Sequence, residues 1–237
     1  LNWGYLSVGG NLIAESYDDA IDMSGDSVGH AQLYVEGDIT ATSSNQDGID
    51  MTNSAIVQTN NGSIYATGKM GIDISNDCKI IAQCKVGCHT GPACSGTSSG
   101  SIVATGSYNG IHCDNNSATI QADGDIVGKA TESKYQQEAG IYSWAKVQAG
   151  QCILGEGYIG IDAYAGQGMG CNRTPPSYIA GNVRAKGTKY DVKLSCTDLP
   201  ISCIGTGIVN SMGNYRAGSG CCYYWNNKQQ CMPTPTP

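Results

Sequence analysis

The sequence contains no phenylalanine and very little charge. Among 237 residues, aromatic side chains make up 7% and charged side chains 14%. With so few charges, the surface must consist mainly of Asn, Ser, Thr, Gln and Gly. This composition favours a stacked β protein over a helical one.

Basic residues and long apolar runs are also scarce. There are 13 Lys and Arg against 20 Asp and Glu, which gives a formal net charge of −7. Nucleic-acid binding depends on basic side chains that neutralise phosphates, so we expect no nucleic-acid partner. The chain has no polybasic patch for a membrane surface. It also lacks the run of about eighteen apolar residues that a membrane-spanning helix needs.

Glycine and cysteine are abundant instead. The 33 glycines indicate many tight turns, and the twelve cysteines indicate an oxidising compartment. The sequence starts at Leu1, and its first residues do not show the pattern of a signal peptide. We therefore expect a secreted, extracellular or cell-surface protein whose leader has been removed.

Two short patterns recur along the chain, and a third apolar run lies between them. A Gly-Ile pair begins at Gly48 and returns at Gly71, after 71 − 48 = 23 residues. A Gly-x-apolar pattern, as in Gly62-Ser63-Ile64, follows the intervening run Ala55-Ile56-Val57. Self-similarity at this spacing predicts a solenoid with three strands in each coil.

Apolar and polar residues alternate after each Gly-Ile pair. Ile49 and Met51 point one way and Asp50 the other, and the same holds for Ile72 and Ile74 against Asp73. Ile111 and Cys113 stand in the same way against His112. Stacked coils would align an apolar column inside and a polar column outside. The predicted fold is all-β, a single-stranded parallel β-helix of roughly seven or eight three-strand coils.

Interruptions of the repeat predict the domain organisation. Residues 1–188 would form the β-helix, with projecting loops near 84–99, 132–139 and 165–178. Residues 189–231 would form a disulfide-stapled C-terminal region, and 232–237 an extended Pro/Thr tail.

Repeats such as Gly62-Ser63-Ile64-Tyr65-Ala66-Thr67-Gly68 resemble those of right-handed parallel β-helices. They are similar to haemagglutinin-type adhesins, autotransporter passengers and the pectin-lyase-like superfamily. The resemblance covers roughly residues 8 to 185. It implies the fold, but not the function, since such repeats serve adhesins, lyases and structural fibres alike.

One stretch resembles part of an active site. Asn45-Gln46-Asp47-Gly48 is similar to the Asn-Thr-Asp-Gly stretch of polygalacturonases, which also need a paired Asp-Asp one coil later, a Gly-His-Gly and an Arg-x-Lys. The next coil here has only Asp73, and no histidine lies in a Gly-His-Gly. We therefore predict no catalytic residues, no cofactor and no enzyme activity. A polysaccharide lyase or hydrolase is the less favoured alternative.

Asp22, Asp50 and Asp73 form the predicted outward column. Carboxylates about 5 Å apart repel each other, and Ca²⁺ could relieve that repulsion. A solvated polar face is the preferred interpretation, so these residues are only weak metal candidates.

The cysteines are better explained by disulfides than by metal. The spacing of Cys78, Cys84, Cys88 and Cys94 lacks the paired arrangement of zinc sites. Cys113 and Cys152 occupy predicted inner positions, as buried thiols or as an internal bridge. The disulfide candidates are Cys78, Cys84, Cys88, Cys94, Cys171, Cys196, Cys203, Cys221, Cys222 and Cys231.

The sequence also contains candidate glycosylation sites. Three sequons place glycan candidates at Asn61, Asn115 and Asn172, and Thr234 and Thr236 lie between prolines as in O-glycosylated stalks.

The ends of the β-helix suggest the function. Natural proteins cover exposed strand edges. Here the sequence begins with aromatic and apolar residues, and no amphipathic capping helix precedes them. We expect copies of the chain to stack head to tail into an extracellular filament or surface appendage. A surface adhesin or carbohydrate-binding module is the alternative, with glycans as partners. The self-assembly candidates are Trp3, Tyr5, Leu6, Tyr223, Tyr224 and Trp225.

Overall fold

The computed structural model describes residues 1, 4–25, 30–92, 94–115, 117–132, 138–163, 179–194, 209–210, 222–225 and 228–231. Strands are the regular elements of these segments. In chain order they are β1 (Gly4–Val8), β2 (Leu12–Ser16), β3 (Ile21–Ser24), β4 (Ala31–Val35), β5 (Ile39–Ser43), β6 (Ile49–Thr52), β7 (Ile56–Thr59), β8 (Ile64–Ile74), β9 (Lys79–Ala82), β10 (Ile102–Cys113), β11 (Thr119–Ala122), β12 (Ile126–Ala130), β13 (Ala139–Ser143), β14 (Lys146–Ala163), β15 (Ile179–Leu194), β16 (Val209–Asn210), β17 (Cys222–Trp225) and β18 (Lys228–Cys231).

Strands β1 to β15 form one parallel sheet that winds into a β-solenoid of about six turns. This confirms the predicted fold class, with a coil count close to the expected one. The first column contains β1, β4, β7, β9, β11 and the starts of β14 and β15. The second column contains β2, β5, the first part of β8 and β10, β12 and the middle of β14 and β15. The third column contains β3, β6, the second part of β8 and β10, β13 and the ends of β14 and β15.

Equivalent residues of successive turns, which we call rungs, lie directly opposite each other. In the second column Ile39 pairs with Ile64, and Ile64 pairs with Ile102. In the third column Ile49 pairs with Ile72, and Ile72 with Ile111. These isoleucines are fully buried, and each burial is worth about 1.5–3 kcal/mol. The interior is therefore a set of isoleucine stacks that only neighbouring turns can cover.

The second and third strands of a turn are continuous in part of the solenoid. β8 and β10 run through both columns without a break, and β14 and β15 run through all three, where three separate strands were expected. The register shifts within β10, between Gly106 and Asn109, and this irregularity bends the strand from one column into the next.

Residues 83–101 connect β9 to β10 and contain the predicted loop 84–99. Cys84 bonds to Cys88, and Cys94 bonds to Cys152 of β14.

The last parallel strand, β15, continues to Leu194, beyond the boundary expected at residue 188. β16, β17 and β18 form a separate small sheet, in which β17 and β18 are antiparallel.

Two predictions about cysteines are wrong. Cys78 is a buried free thiol whose Sγ donates to the carbonyl oxygen of Ser75 at 3.0 Å, not half of a disulfide. Cys152 was expected inside the solenoid, but the inner position belongs to its neighbour Ile153, which pairs with Ile126. Cys152 is buried and bonds the loop residue Cys94. Cys113 is a buried free thiol in the core.

Several predicted sites lie outside the described residues. They are Trp3, Cys171, Cys196, Cys203, Cys221, Asn172, Thr234, Thr236, the whole loop 165–178, most of the loop 132–139 and the tail 232–237. Cys222, Tyr223, Tyr224 and Trp225 lie on β17, and Cys231 lies on β18.

Candidate functional site

A row of polar residues follows the Ile of each rung in the third column. Because side chains alternate along a strand, the residue after each buried Ile takes the opposite face. Backbone pairing joins Asp22 to Asp50, Asp50 to Asp73, Asp73 to His112, His112 to Tyr142 and Tyr142 to Asp162. We call these six positions the outward row; its members are Asp22, Asp50, Asp73, His112, Tyr142 and Asp162.

The centre of the outward row is an Asp–His pair. His112 Nδ1 and Asp73 Oδ1 are 2.7 Å apart, and both side chains are about a quarter exposed, at 23% and 27%. The His112 ring stacks on Tyr142, with ring centroids 4.9 Å apart and planes 16° from parallel. Trp144 Nε1 donates to the Tyr142 hydroxyl at 2.9 Å. Asp73 thus orients the imidazole, and Tyr142 covers one of its faces.

Two further carboxylates flank the row at the preceding corner. The backbone N–H of Asp47 donates to Asp19 Oδ1 at 2.9 Å, and the N–H of Met70 donates to Asp47 Oδ1 at 2.9 Å. Each aspartate therefore binds the backbone of the next rung. Their role in these bonds is structural, but their charges add to the field at Asp50.

Burial and like charge shift the pKa values of this cluster. Burial, followed by the charges of Asp73, Asp19, Asp22 and Asp47, raises the pKa of Asp50 to about 6. Burial also raises the pKa of Asp47. Burial lowers the pKa of His112, but the hydrogen bond and charge of Asp73 outweigh it, so the pKa is raised overall. Asp50 therefore gains or loses its proton in the mildly acidic range, near pH 6.

The described residues contain no group of three or more His, Cys, Asp or Glu side chains placed to hold a metal ion. Asp22, Asp50 and Asp73 lie on successive rungs, but they do not form such a group. The row can accept hydrogen bonds from hydroxyl or ammonium groups, and Asp50 and His112 can transfer protons.

The predicted glycan positions differ in their surroundings. Asn61 is exposed; its Nδ2 donates to Glu36 Oε2 at 3.3 Å, and its Oδ1 accepts the N–H groups of Lys85 and Val86 at 3.1 and 3.0 Å. Asn115 is half-buried, and its Oδ1 accepts the N–H of Ser117 at 2.8 Å. The Asn61 amide thus helps to hold the start of the 83–101 connection.

The first rung forms a second candidate surface. Leu6 pairs with Leu33, and Leu33 pairs with Val57, so Leu6 continues a column of the core. Leu33 and Val57 are 3% and 0% exposed, but Leu6 is 45% exposed and its neighbour Tyr5 is 66% exposed. The apolar interior is therefore open at this end of the described solenoid.

The strand edges of the first rung are open as well. Within the described residues, β1 pairs only with β4, and β2 pairs only with β5. Leu1 lies against the third strand of this rung, where its carbonyl accepts the N–H of Ser24 at 3.1 Å. The open edge therefore consists of β1 and β2.

Sequence reasoning missed two features of these surfaces. It aligned His112 with the aspartates but did not pair it with Asp73, although both residues follow a Gly-Ile pair. It also missed Glu138, a fully buried carboxylate whose two oxygens have no hydrogen-bond partner among the described residues. In the sequence, Glu138 lies in a stretch that departs from the repeat, so the repeat offers no register by which to place it.

These features define the chain as a parallel β-solenoid with an outward Asp–His row and an open first rung. No protein-family model, curated protein or solved structure matches the sequence. No helix of the described residues is long and apolar enough to cross a membrane.

Proposed function

We propose that this protein is a structural subunit that self-assembles end to end into an extracellular filament or surface appendage. The observation that most directly supports this proposal is the open first rung, where Leu6 continues a core column but is 45% exposed. A further solenoid rung would cover Leu6 with apolar side chains and pair the free N–H and C=O groups of β1 and β2. A second copy of the chain can supply such a rung.

Two further observations support this proposal. An uncovered strand edge favours pairing with another strand, because each unpaired backbone group gains a hydrogen bond. The two disulfides of the described residues indicate an oxidising compartment, which agrees with an extracellular location. Membership of the haemagglutinin-like or pectin-lyase-like superfamily is part of the proposal and rests on the repeats alone.

Light scattering and electron microscopy of the purified chain over a range of concentrations test this function. We expect the wild type to form elongated multimers and Leu6→Lys to remain monomeric, because Leu6→Lys places a charge in the apolar junction. Val86→Lys is the control, since Val86 is 77% exposed on the 83–101 connection, away from the first rung. A wild type that stays monomeric at high concentration would refute the proposal.

The outward row supports a second candidate, a carbohydrate-binding or carbohydrate-cleaving site. The observation in its favour is the Asp73–His112 pair beside Asp50, whose pKa of about 6 lets it carry a proton near neutral pH. Binding to a glycan array, or turnover of pectic polysaccharides that Asp50→Asn abolishes, would support this candidate. Wild-type activity in Asp50→Asn would exclude Asp50 as its proton donor.

A further inference from the structure

We propose that the strand which covers the open first rung is β15 of a second copy, stacked head to tail in the register of the solenoid. This inference rests on the proposed self-assembly and adds its partner edge and its direction. In this arrangement, Glu15 of one copy lies opposite Lys186 of the next.

The two ends of the described solenoid carry opposite charge. Within residues 4–25 the charged residues are all acidic, namely Glu15, Asp18, Asp19 and Asp22. β15 contains four basic residues and one acidic residue, for a net charge of 4 − 1 = +3; these are Arg184, Lys186, Lys189, Lys193 and Asp191. Four of the 13 basic residues of the whole chain thus lie on one strand. An acidic first rung and a basic last strand favour head-to-tail contact over contact between like ends.

Register identifies which residues would meet. Successive backbone pairs join Glu15 to Thr42, Thr42 to Thr67, Thr67 to Thr105, Thr105 to Lys129, Lys129 to Glu156 and Glu156 to Lys186. This single line of equivalent positions starts with Glu15 and ends with Lys186. If the same register continues between copies, Lys186 of one copy is the neighbour of Glu15 in the next.

The chain already uses this contact inside the solenoid. Lys129 Nζ lies 3.7 Å from Glu156 Oε2 on the next rung of the same line. A Lys–Glu contact between copies would repeat that geometry. Glu15 and Lys186 are both exposed, so neither needs to leave an existing core position.

The core columns match in the same register. Successive backbone pairs from turn to turn also connect Leu6 of the first rung to Ile179 of β15. In the same way they connect Leu12 of the first rung to Val183 of β15. Apolar positions therefore meet apolar positions. β16 is the small-sheet strand next to β15, but it has two residues against sixteen in β15. Among the described residues, β16 can therefore cover only a small part of the β15 edge.

Exposed ion pairs contribute little energy, so we assign the affinity to the apolar columns and the direction to the charges. A head-to-tail contact uses two different surfaces and leaves one of each free at the ends. Such an interface extends without closing, which produces a filament.

Charge reversal tests this inference. We expect Glu15→Lys and Lys186→Glu each to raise the concentration needed for assembly about threefold to tenfold, and the double variant to restore it. An equimolar mixture of the two single variants should also assemble, because each reversed residue then meets its complement. Light scattering measures assembly, and circular dichroism confirms that each variant is folded. Lys129→Glu is the control, since Lys129 lies mid-solenoid and should leave the critical concentration unchanged.

The outcomes separate this inference from the proposed function. If the wild type assembles and neither single reversal weakens it, the Glu15–Lys186 register is wrong while self-assembly stands. If the single reversals weaken assembly but the double variant does not restore it, Glu15 and Lys186 do not meet, and the head-to-tail register is wrong. A wild type that never assembles overturns both the inference and the proposed function.

Discussion

At the scale of single residues, the glycine of each Gly-Ile pair lies where the chain comes closest to the neighbouring rung. A Cβ atom at Gly71 would lie 2.7 Å from both the Gly110 oxygen and the Thr105 nitrogen. At Gly110 it would overlap the backbone nitrogen of Lys129. These neighbours are backbone atoms that cannot rotate away. Glycine therefore recurs at the bend between the second and third columns because no side chain fits there.

Gly71→Ala should destabilise the solenoid by about 1–3 kcal/mol, because the added methyl group forces two rungs apart. Chemical denaturation followed by circular dichroism measures the change. Gly10→Ala is the matched control, since a Cβ there meets nothing within 4 Å, and we expect a change within about 0.5 kcal/mol. Equal losses in both variants would contradict the close-contact explanation.

Asp50 should make the fold more stable at mildly acidic pH. Its pKa in the folded state is about 6, above the ordinary value of 3.8, so the folded chain binds more protons between these values. Stability therefore falls as pH rises from about 4 to about 6, and stays lower above pH 6. The raised pKa of His112 acts in the same direction at higher pH, because stability from its charged form is lost as pH rises through its folded value.

Asp50→Asn should remove the Asp50 part of this dependence. We expect a gain of about 1–2 kcal/mol at pH 7, reduced from the full effect because the group is partly hydrated, and almost no gain at pH 4. Denaturant unfolding across pH 4 to 8 measures it. Glu132→Gln, an exposed carboxylate outside the outward row, should leave the profile unchanged. An Asp50→Asn profile parallel to the wild type would count against this account.

At the scale of elements, a ladder of side chains at one corner holds successive turns in register. Asn11 Oδ1 accepts the N–H of Asp38 at 2.9 Å, Asp38 Oδ1 that of Ser63 at 2.7 Å, and Ser63 Oγ that of Ser101 at 3.0 Å. Ser101 Oγ accepts the N–H of Asp125 at 2.9 Å. Each side chain therefore satisfies a backbone donor of the next turn, at the point where the strand ladder is interrupted.

The 83–101 connection docks at the far end of this ladder. Asp125 accepts the N–H of Cys94 at 3.2 Å and that of Gly96 at 3.0 Å, and Ser98 Oγ donates to Gln151 Oε1 at 2.7 Å. The Cys94–Cys152 disulfide links the same segment to β14. The segment is therefore anchored to two successive turns.

Removal of the Cys94–Cys152 disulfide by a double serine substitution should cost about 2–4 kcal/mol, because this bond joins residues 58 apart and restricts the unfolded chain. Denaturant unfolding measures the loss, and limited proteolysis should show faster cleavage within 83–101. The double substitution of Cys84 and Cys88 is the control. These residues are only four apart, so their bond restricts the unfolded chain less and should cost less. A larger loss in the control would contradict the entropic explanation.

At the scale of the whole molecule, stability passes from rung to rung because each turn is covered only by its neighbours. Ile64 and Ile72 are fully buried between two turns, whereas Leu6, on a core column of the first rung, is 45% exposed. The first rung should therefore open more easily than the central rungs.

Hydrogen exchange measured by mass spectrometry should show this gradient. In the monomer we expect amides of β1 and β2 to exchange faster than those of β8 and β10. On assembly the β1 and β2 amides should become protected while β8 and β10 change little. Uniform protection in the monomer would show that the first rung is not an open edge.

The repeat in the sequence was sufficient to predict the solenoid, because buried Ile and outward Asp recur at the same offset from each Gly-Ile pair. It was also sufficient to align Asp22, Asp50 and Asp73 with His112. The register within such a repeat is a local property, set by strand alternation and by the glycine that each bend requires. For that reason the sequence alone predicts which residues form the core of the described turns.

The contacts that break the repeat required the folded chain. The partner of Cys94 lies 58 residues away, and the repeat does not specify where a projecting segment returns. Cys78 lies in the core as a free thiol, which the spacing of the cysteines did not predict. The Asp73–His112 bond, the pKa of Asp50 and the exposure of Leu6 depend on burial, which several turns create together. Periodicity thus specifies the rungs, whereas the meeting of distant segments determines the chemistry of the outward row and the open end.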